Sequence, residues 1–202
     1  MRSLSEIESA VKRASRAVGF SWGVSEEVGK SIRLLELFGL AGIKNLNQYY
    51  KEREIKKFEN LISISKKNIA QEAFCPIVLG ISFLDQIGEI ENFETIHFKK
   101  IAYPVIFLSF LSRASEISGK KIYVKFDQYE ILLNLNVNIF SNGFNKDFSN
   151  HANNVEIKFL DNQDNFTDTE WNSLYKLAEN TFVEESDSLK QSGAGAGLTD
   201  ND

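Results

Sequence analysis

A charged helix that follows Trp22 carries residues whose types and spacing could do chemistry. Glu26, Lys30 and Arg33 recur at helical spacing, which places them on one side of the helix, with Glu27 beside them. Carboxylates and cations gathered in this way could form an enzyme site for a small polar metabolite, and Trp22 could contact a ligand or a partner. The same spacing is typical of a solvated ion-pair ladder, which is the interpretation we prefer.

Cys75 and Asp85 complete the candidate catalytic residues. As a nucleophile, Cys75 would need a neighbouring base, but the chain has only two histidines, His97 and His151, and neither belongs to a motif that pairs with a cysteine. Because Cys75 lies in an apolar run, a buried thiol is the preferred interpretation. Asp85 could be a catalytic acid or, as we prefer, a helix cap. The spacing of these residues predicts no metal site and identifies no cofactor.

The carboxyl end of the chain alternates glycine with alanine at Gly193, Gly195 and Gly197 and then becomes acidic at Asp200 and Asp202. Such residues cannot fill a core, and ordering them costs conformational entropy. Their backbone amides could cradle a ligand, while the acidic end suits a cation or a basic groove on a partner. We therefore predict a tail that orders on a ligand or a partner, and the alternative is a frayed terminus.

Composition and charge limit the remaining function classes. The 202 residues carry a net charge of −5, and the basic residues of the segment 51–57 alternate with acids, so the sequence predicts no nucleic-acid partner. No apolar stretch approaches the roughly 20 residues of a membrane span, so no membrane partner is predicted either. A single cysteine excludes a disulfide within the chain and favours a reducing, cytoplasmic location.

Hydrophobic periodicity predicts a single α+β domain over residues 1–185 and a glycine-rich acidic tail over 186–202. The domain has a helical N-terminal third and then a small antiparallel sheet of about three to four strands, with helices on one face. The predicted helices of the first third cover 5–18, with a capping box at Ser5 and Glu8, 25–38, and 45–62.

The second half of the predicted domain alternates strands with helices. Residues 74–84 could form a buried helix or a buried strand, because periodicity cannot separate the two. A helix begins at Pro104, and a last helix follows a capping box at Thr167 and Glu170. The predicted strands cover 94–98, 122–126, 133–139 and 155–159, with a loop over 141–154. The predicted buried side of the last helix consists of Trp171, Leu174, Ala178 and Phe182.

Two segments of the sequence resemble a known family. They are the run from Gly19 to Gly23 with Ser25-Glu26-Glu27 and Gly29, and the terminal Gly-Ala-Gly-Ala-Gly-Leu-Thr-Asp-Asn-Asp. Together they are similar to a bacterial family catalogued only as a domain of unknown function, over nearly the whole chain. The chain departs from the family pattern before the tail, where Glu184 replaces a proline and Leu189 an arginine. The resemblance implies no activity, but it implies that the tail is a feature of the protein.

Three hypotheses follow from the sequence. The first is a small cytoplasmic accessory subunit or small-molecule-binding protein whose glycine-rich tail orders on a ligand or a protein partner. The second is an enzyme that acts on a small polar metabolite with the carboxylate, lysine and arginine groups around the second helix. The third is a homodimer without a ligand, which the high aromatic content would allow.

Overall fold

The computed structural model describes residues 2–143 and 148–182. By its contacts the chain divides into two compact units, Met1–Asn162 and Gln163–Asp202, and each is described by itself. The glycine-rich tail predicted over 186–202 lies outside the described residues. The predictions made for Gly193, Gly195, Gly197, Asp200 and Asp202 therefore stay predictions, as does the division into a domain over 1–185 and a tail.

The described residues form a mixed α and β structure with a helical N-terminus, as predicted. The helices are α1 (Leu4–Ala17), α2 (Trp22–Leu37), α3 (Gly42–Ile55), α4 (Pro76–Asp85), α5 (Ile87–Ile90), α6 (Pro104–Ser118) and α7 (Asp168–Glu179). The strands are β1 (Lys67–Asn68), β2 (Ile96–Ala102), β3 (Lys121–Phe126), β4 (Tyr129–Asn134), β5 (Asn138–Ser141) and β6 (His151–Leu160).

The sheet has six strands within the described residues, so the predicted number of about three to four strands was too low. The strand order is β1-β2-β6-β3-β4-β5, with β1 parallel to β2 and all other pairs antiparallel. Two of the additional strands, β1 and β5, are short edge strands of two and four residues. Such short strands give almost no period-two signal, which is why the sequence did not reveal them.

The predicted strand over 133–139 is broken by a turn. Strand β4 ends at Asn134, and Leu135 and Asn136 then adopt left-handed φ values of 49° and 59° before β5 begins. Asn136 accepts a hydrogen bond from Ser112 Oγ at 3.0 Å, which anchors the turn to α6. The alternation of apolar and Asn residues continues through this turn, so the pattern could not reveal the break.

Local capping explains where the first two helices begin, and it corrects both predicted starts. Ser3, and not Ser5, caps α1, because its Oγ accepts from Glu6 N at 3.1 Å. Ser21 caps α2 through Val24 N at 3.3 Å, so α2 includes Trp22 and begins three residues before the predicted Ser25. Residues 74–84 are resolved as helix, since α4 covers most of this segment with Pro76 at its first position.

Helix α3 and strand β6 also differ from their predicted bounds. Helix α3 ends at Ile55, and the chain is already non-helical at Lys56, whereas the predicted helix continued to residue 62. Strand β6 begins at His151, inside the segment predicted as a loop over 141–154. Its first residues are mostly polar. They nevertheless pair with β2, with His151 opposite Ala102, and the sequence alone could not identify these partners.

Helix α6 is the centre of the core of the first unit. It packs against α4, α2 and the strands β3 and β4, and eleven of its fifteen residues are buried. The inward residues of the sheet alternate with polar outward residues, for example Ile122 and Val124 with Lys121 and Lys125. One face of the sheet therefore belongs to the core, and the other is charged.

Gly29 explains how α1 and α2 approach one another. A Cβ atom at this position would lie 2.9 Å from the carbonyl oxygen of Glu8, so a side chain would push the two helices apart. Gly19, with a φ of 98°, ends α1 in a conformation that favours glycine. Gly19 and Gly29 of the resembling segment thus have structural roles in the α1–α2 pair.

Helix α7 lies in the second unit, and its capping box at Thr167 and Glu170 is confirmed. The predicted burial of its apolar side is wrong, because Trp171, Leu174 and Phe182 are each more than half exposed. The rings instead contact each other along the helix, with Phe166 stacked on Trp171 at 5.6 Å. No second helix or strand is described in this unit, 163–182, that could cover them.

Candidate functional site

A cleft of about 760 Å³, here called the first cleft, opens in the first unit between the C-terminal half of α3 and the loop that joins α1 to α2. This volume is within the range of small-molecule sites in proteins. All of its lining residues lie between Ala17 and Val78. The aromatic part of the lining consists of Phe20, Tyr49, Tyr50 and Phe58, and the charged part of Arg53, Glu54, Lys56 and Lys57.

Arg53 is held in place at this cleft by two contacts. Its Nη1 donates to the carbonyl oxygen of Val18 at 2.8 Å, and its guanidinium carbon lies 4.4 Å from the ring centroid of Phe20. A cation over an aromatic face is attracted by the ring and is fixed in orientation. The cleft therefore has a pre-organised positive charge beside an aromatic surface.

Lys57 adds a second positive charge to the first cleft. Within residues 2–143 and 148–182 it has no ion-pair partner, whereas Lys56 pairs with Glu52 at 2.8 Å. The acid in the lining, Glu54, offsets only part of this charge. An anion that enters the cleft would thus meet Arg53 and Lys57, one fixed and one on a flexible stem.

The inner wall of the first cleft is uncharged. Tyr49 Oη lies 2.9 Å from Cys75 Sγ, and both residues are buried. Burial raises the pKa of the Cys75 thiol despite its hydrogen bond with Tyr49, and burial likewise raises the pKa of Tyr49. Both groups therefore stay neutral, which favours the interpretation of Cys75 as a buried thiol over that of a thiolate nucleophile. Burial also raises the pKa of Tyr50 to about 12, and its hydroxyl donates to Ser15 Oγ at 2.6 Å.

A second cleft of about 260 Å³ shares Lys56, Lys57 and Phe58 with the first. Glu52 lies at its side and has three partners: Tyr103 Oη donates to its Oε2 at 2.7 Å, Lys56 Nζ lies 2.8 Å from Oε1, and His151 Nε2 lies 3.4 Å from the same oxygen. Burial alone would raise the pKa of Glu52, but the hydrogen bonds from Lys56 and Tyr103 lower it, so Glu52 stays ionised.

Two residues at this second cleft adopt the left-handed conformation without being glycine. They are Lys100, with a φ of 60°, and Tyr103, with a φ of 44°. Tyr103 also precedes Pro104, which disfavours helical conformations in the residue before it. Each outlier costs about 1–3 kcal/mol and is typical of functional sites. The strained Tyr103 has its hydroxyl on Glu52 and its ring edge against Tyr49 at 5.7 Å, and it thereby connects the walls of both clefts.

Three of the sequence-predicted site residues, Glu26, Glu27 and Lys30, lie in one ion-pair network. Glu26 pairs with Lys12 of α1 at 2.8 Å, and Lys30 lies 3.2 Å from Glu26 and 3.1 Å from Glu27. Glu27 also pairs with Arg113 of α6. The network joins three helices, and this arrangement fits the ion-pair ladder that the sequence analysis preferred.

The other predicted site residues lie apart from this network. Arg33 pairs with Glu8 at 3.0 Å, about 16 Å along α2 from Trp22. Trp22 is 58% exposed and lies under the guanidinium of Arg16. Asp85 is the exposed last residue of α4, and the N-cap of that helix is Cys75 instead. The C-cap is Gln86, so the predicted role of Asp85 as a helix cap is wrong.

The Glu27 network gives a testable pH dependence. Burial alone would raise the pKa of Glu27, but hydrogen bonds from Arg113 and Lys30 lower it below the ordinary value. A lowered folded-state pKa contributes stability above the unfolded pKa of about 4.3, and this contribution is lost as the pH falls through the folded-state value. Glu27→Gln should lower the free energy of unfolding by about 1–2 kcal/mol at neutral pH, and the difference from the wild type should shrink below about pH 4.

Urea unfolding followed by circular dichroism across that pH range measures the difference. Glu89→Gln is the matched control, because Glu89 is exposed and has no ion-pair partner among the described residues. A difference between wild type and Glu27→Gln that stays constant from neutral to acid pH would contradict this account of the network.

Apart from Cys75, which lines the first cleft, no residue of either cleft was predicted as a site residue from the sequence. Tyr49 and Arg53 lie four residues apart on α3, which places them on one face of the helix. That spacing was available as a signal, but it was hidden in a run of alternating charges. Tyr103 directly before Pro104 was a second signal, since it marks a restricted backbone. His151 could not be assigned, because its strand was not predicted.

A comparison with known proteins gives a match over the segment that lines the first cleft. Residues 2–79 match the model of a family described as a protein of unknown function (DUF3726). This match supports the coarser part of the resemblance, a family of unknown function, and it contains the whole lining of the first cleft. The tail motif lies outside the matched residues, so that part of the resemblance stays a prediction. No curated protein and no solved structure matches the chain.

The described ranges 2–143 and 148–182 contain neither a membrane-spanning helix nor a cluster of metal ligands. No helix there is both long enough and apolar enough to cross a bilayer. No group of three or more His, Cys, Asp or Glu side chains in these ranges is arranged to hold a metal ion.

Proposed function

We propose that this is a cytoplasmic small-molecule-binding or accessory protein whose ligand occupies the first cleft. The ligand has an aromatic or otherwise apolar body and an anionic group. One observation carries the proposal: Arg53, fixed over Phe20, shares a cleft of about 760 Å³ with Lys57, which has no ion-pair partner among the described residues. Aromatic rings beside placed charged groups can hold both parts of such a ligand.

The chemistry of the cleft favours binding over reaction. The thiol of Cys75 and the hydroxyl of Tyr49 are neutral and hydrogen-bonded to each other, so neither group is an activated nucleophile. A guanidinium such as that of Arg53 has no acceptor and cannot act as a general base. The first cleft therefore provides shape, aromatic ring surfaces and positive charge.

The alternative function is an enzyme that acts on a small polar metabolite near α2. Its carboxylate, lysine and arginine groups would be Glu26, Glu27, Lys30 and Arg33. Each of these side chains has an oppositely charged partner in the described structure, so a substrate would have to displace an ion pair to bind. For this reason we rank the alternative second.

The tail belongs to the proposal as the element that orders on the ligand or on a protein partner. A chain that ends at Glu185 should keep the melting temperature of the full chain, because the removed residues have little apolar content for a core. Its affinity for an aromatic anion should be about tenfold lower, since the tail can no longer contribute contacts.

The test compares both chains in a titration with anilinonaphthalene sulfonate (ANS), and it measures hydrogen exchange of the amides of Gly193, Gly195 and Gly197. We expect these amides to gain protection in the full chain when ANS is bound. Equal ANS affinities of the two chains, with unprotected tail amides, would refute the role of the tail while leaving the cleft to be tested by its own variants.

A further inference from the structure

The second cleft gathers charged groups from several distant segments of the first unit. Most of these groups do not line the first cleft. The groups around His151 that carry or can acquire charge are Glu52 and Lys56 of α3, Lys57 and Glu72 of the following segments, Lys100 of β2, and Tyr103.

The positive charge of this cleft is only partly neutralised. Lys56 is engaged with Glu52, which leaves Lys57 and Lys100 opposed by Glu72 alone. Lys100 donates one hydrogen bond to the carbonyl oxygen of Gln71 at 2.7 Å, so its ammonium is positioned and keeps two further donors. A small anion could therefore be met by two ammonium groups in a space of about 260 Å³.

The imidazole of His151 lines the same cleft as these lysines and lies next to an acid. Its Nε2 is 3.4 Å from Glu52 Oε1, and its ring packs 6.0 Å from the ring of Tyr103. Glu52 is held as a carboxylate by Tyr103 and Lys56, so it is ready to stabilise an imidazolium. Lys100, which lines this cleft, and Tyr103, which contacts Glu52 and His151 beside it, both have left-handed backbone conformations.

We propose that the second cleft binds a small oxyanion of the phosphate or carboxylate class and that His151 takes up a proton when the anion binds. The proton comes from a buffer acid in the solvent, which is left as its conjugate base, or from the acid form of the anion, which then binds deprotonated, and it adds to the imidazole nitrogen lone pair. The resulting imidazolium lies between the bound anion and Glu52, and both negative groups stabilise it. The site shares Lys56, Lys57 and Phe58 with the first cleft, but Glu72, Lys100 and His151 line only the second, and the proposal does not require a ligand in the first cleft.

Nuclear magnetic resonance of the two histidine rings tests the proposal on the full chain with inorganic phosphate as the probe, and with acetate in a second arm. At about pH 7.5, above the ordinary imidazole pKa, phosphate should move the His151 signals saturably towards those of an imidazolium. His97, which is exposed on the sheet, is the internal control and should not saturate. Saturation by phosphate but not by acetate would assign the phosphate class, and the reverse would assign the carboxylate class.

Variants separate the second cleft from other positive surfaces. Lys57→Gln and Lys100→Gln should each weaken the response of His151 about tenfold, because each removes one charge-assisted contact. Lys67→Gln, near His97, removes the same charge elsewhere and should leave the response unchanged. Arg53→Gln should also leave it unchanged, because Arg53 lines only the first cleft.

Three results would overturn the proposal: parallel, unsaturated shifts of both histidines, an equal loss in Lys67→Gln, or loss of the response in Arg53→Gln. The last would place the anion in the first cleft and leave the proposed function standing. Melting temperatures of all variants exclude unfolding as the cause of any loss.

Discussion

Replacement of Arg53 by glutamine should weaken the binding of an aromatic anion to the protein at least about tenfold, or about 1.4 kcal/mol. The guanidinium is the fixed charge of the first cleft, held by the carbonyl oxygen of Val18 and by the ring of Phe20. Glutamine removes both the charge and the cation–π contact, so ANS should lose its anion partner and part of the stacking surface. A fluorescence titration with ANS measures the change in dissociation constant.

Two control variants make the Arg53 result specific. Lys51→Gln removes a charge from an exposed position of the same helix that does not line the cleft, and it should bind ANS as the wild type does. Trp171→Ala shortens the exposed aromatic row of α7, the other surface on which an aromatic dye could bind. If Trp171→Ala abolished the fluorescence and Arg53→Gln did not, the dye would be reporting on α7 and the cleft proposal would fail.

Lys57→Gln provides a second variant in case Arg53→Gln lowers stability. Lys57 has no ion-pair partner among the described residues, so its replacement should leave the melting temperature unchanged. We expect a smaller loss of ANS affinity, about threefold to fivefold, because the flexible Lys57 is less pre-organised than Arg53.

Replacement of Gly80 by alanine should lower the free energy of unfolding by about 3 kcal/mol. Glycine inside a helix is normally the less stable residue, and alanine should gain about 1 kcal/mol from helix propensity. At Gly80, however, a Cβ atom would lie well inside van der Waals contact with the ring of Phe110. Phe110 is fully buried in α6, so its ring cannot move aside, and the clash outweighs the gain in propensity.

Gly88→Ala is the matched control for this packing prediction. A Cβ atom at Gly88 would meet no atom within 4 Å, so the variant should be neutral or slightly more stable than the wild type. Urea unfolding of the three proteins measures both effects. Equal stability of Gly80→Ala and the wild type would mean that α4 and α6 do not pack as described.

Elements defined by local signals could be predicted from the sequence. The helix that begins at Pro104 and ends before Gly119 carries its own start and stop signals, and the Thr167–Glu170 capping box marks the start of α7. The left-handed turn at Leu135 and Asn136 could not be predicted, because Asn136 is held by Ser112, a residue of another element. Such tertiary contacts override the local pattern.

The clefts could not be predicted for the same physical reason. Glu52 appears in the sequence as one acid in a charged run, and its partner Tyr103 is 51 residues away. Only the fold brings the two together with His151. The charged side of α2, by contrast, could be predicted from the spacing of its charged residues. Such spacing is typical of ion pairs, which are what the structure contains there.

The most direct test of the central claim is the position of ANS on the protein, measured by nuclear Overhauser contacts between the dye and aromatic protons of the full chain. The account predicts contacts to Phe20, Tyr50 and Phe58, and their loss in Arg53→Gln. Contacts to Phe166, Trp171 and Tyr175 in their place, with none to the first cleft, would contradict it.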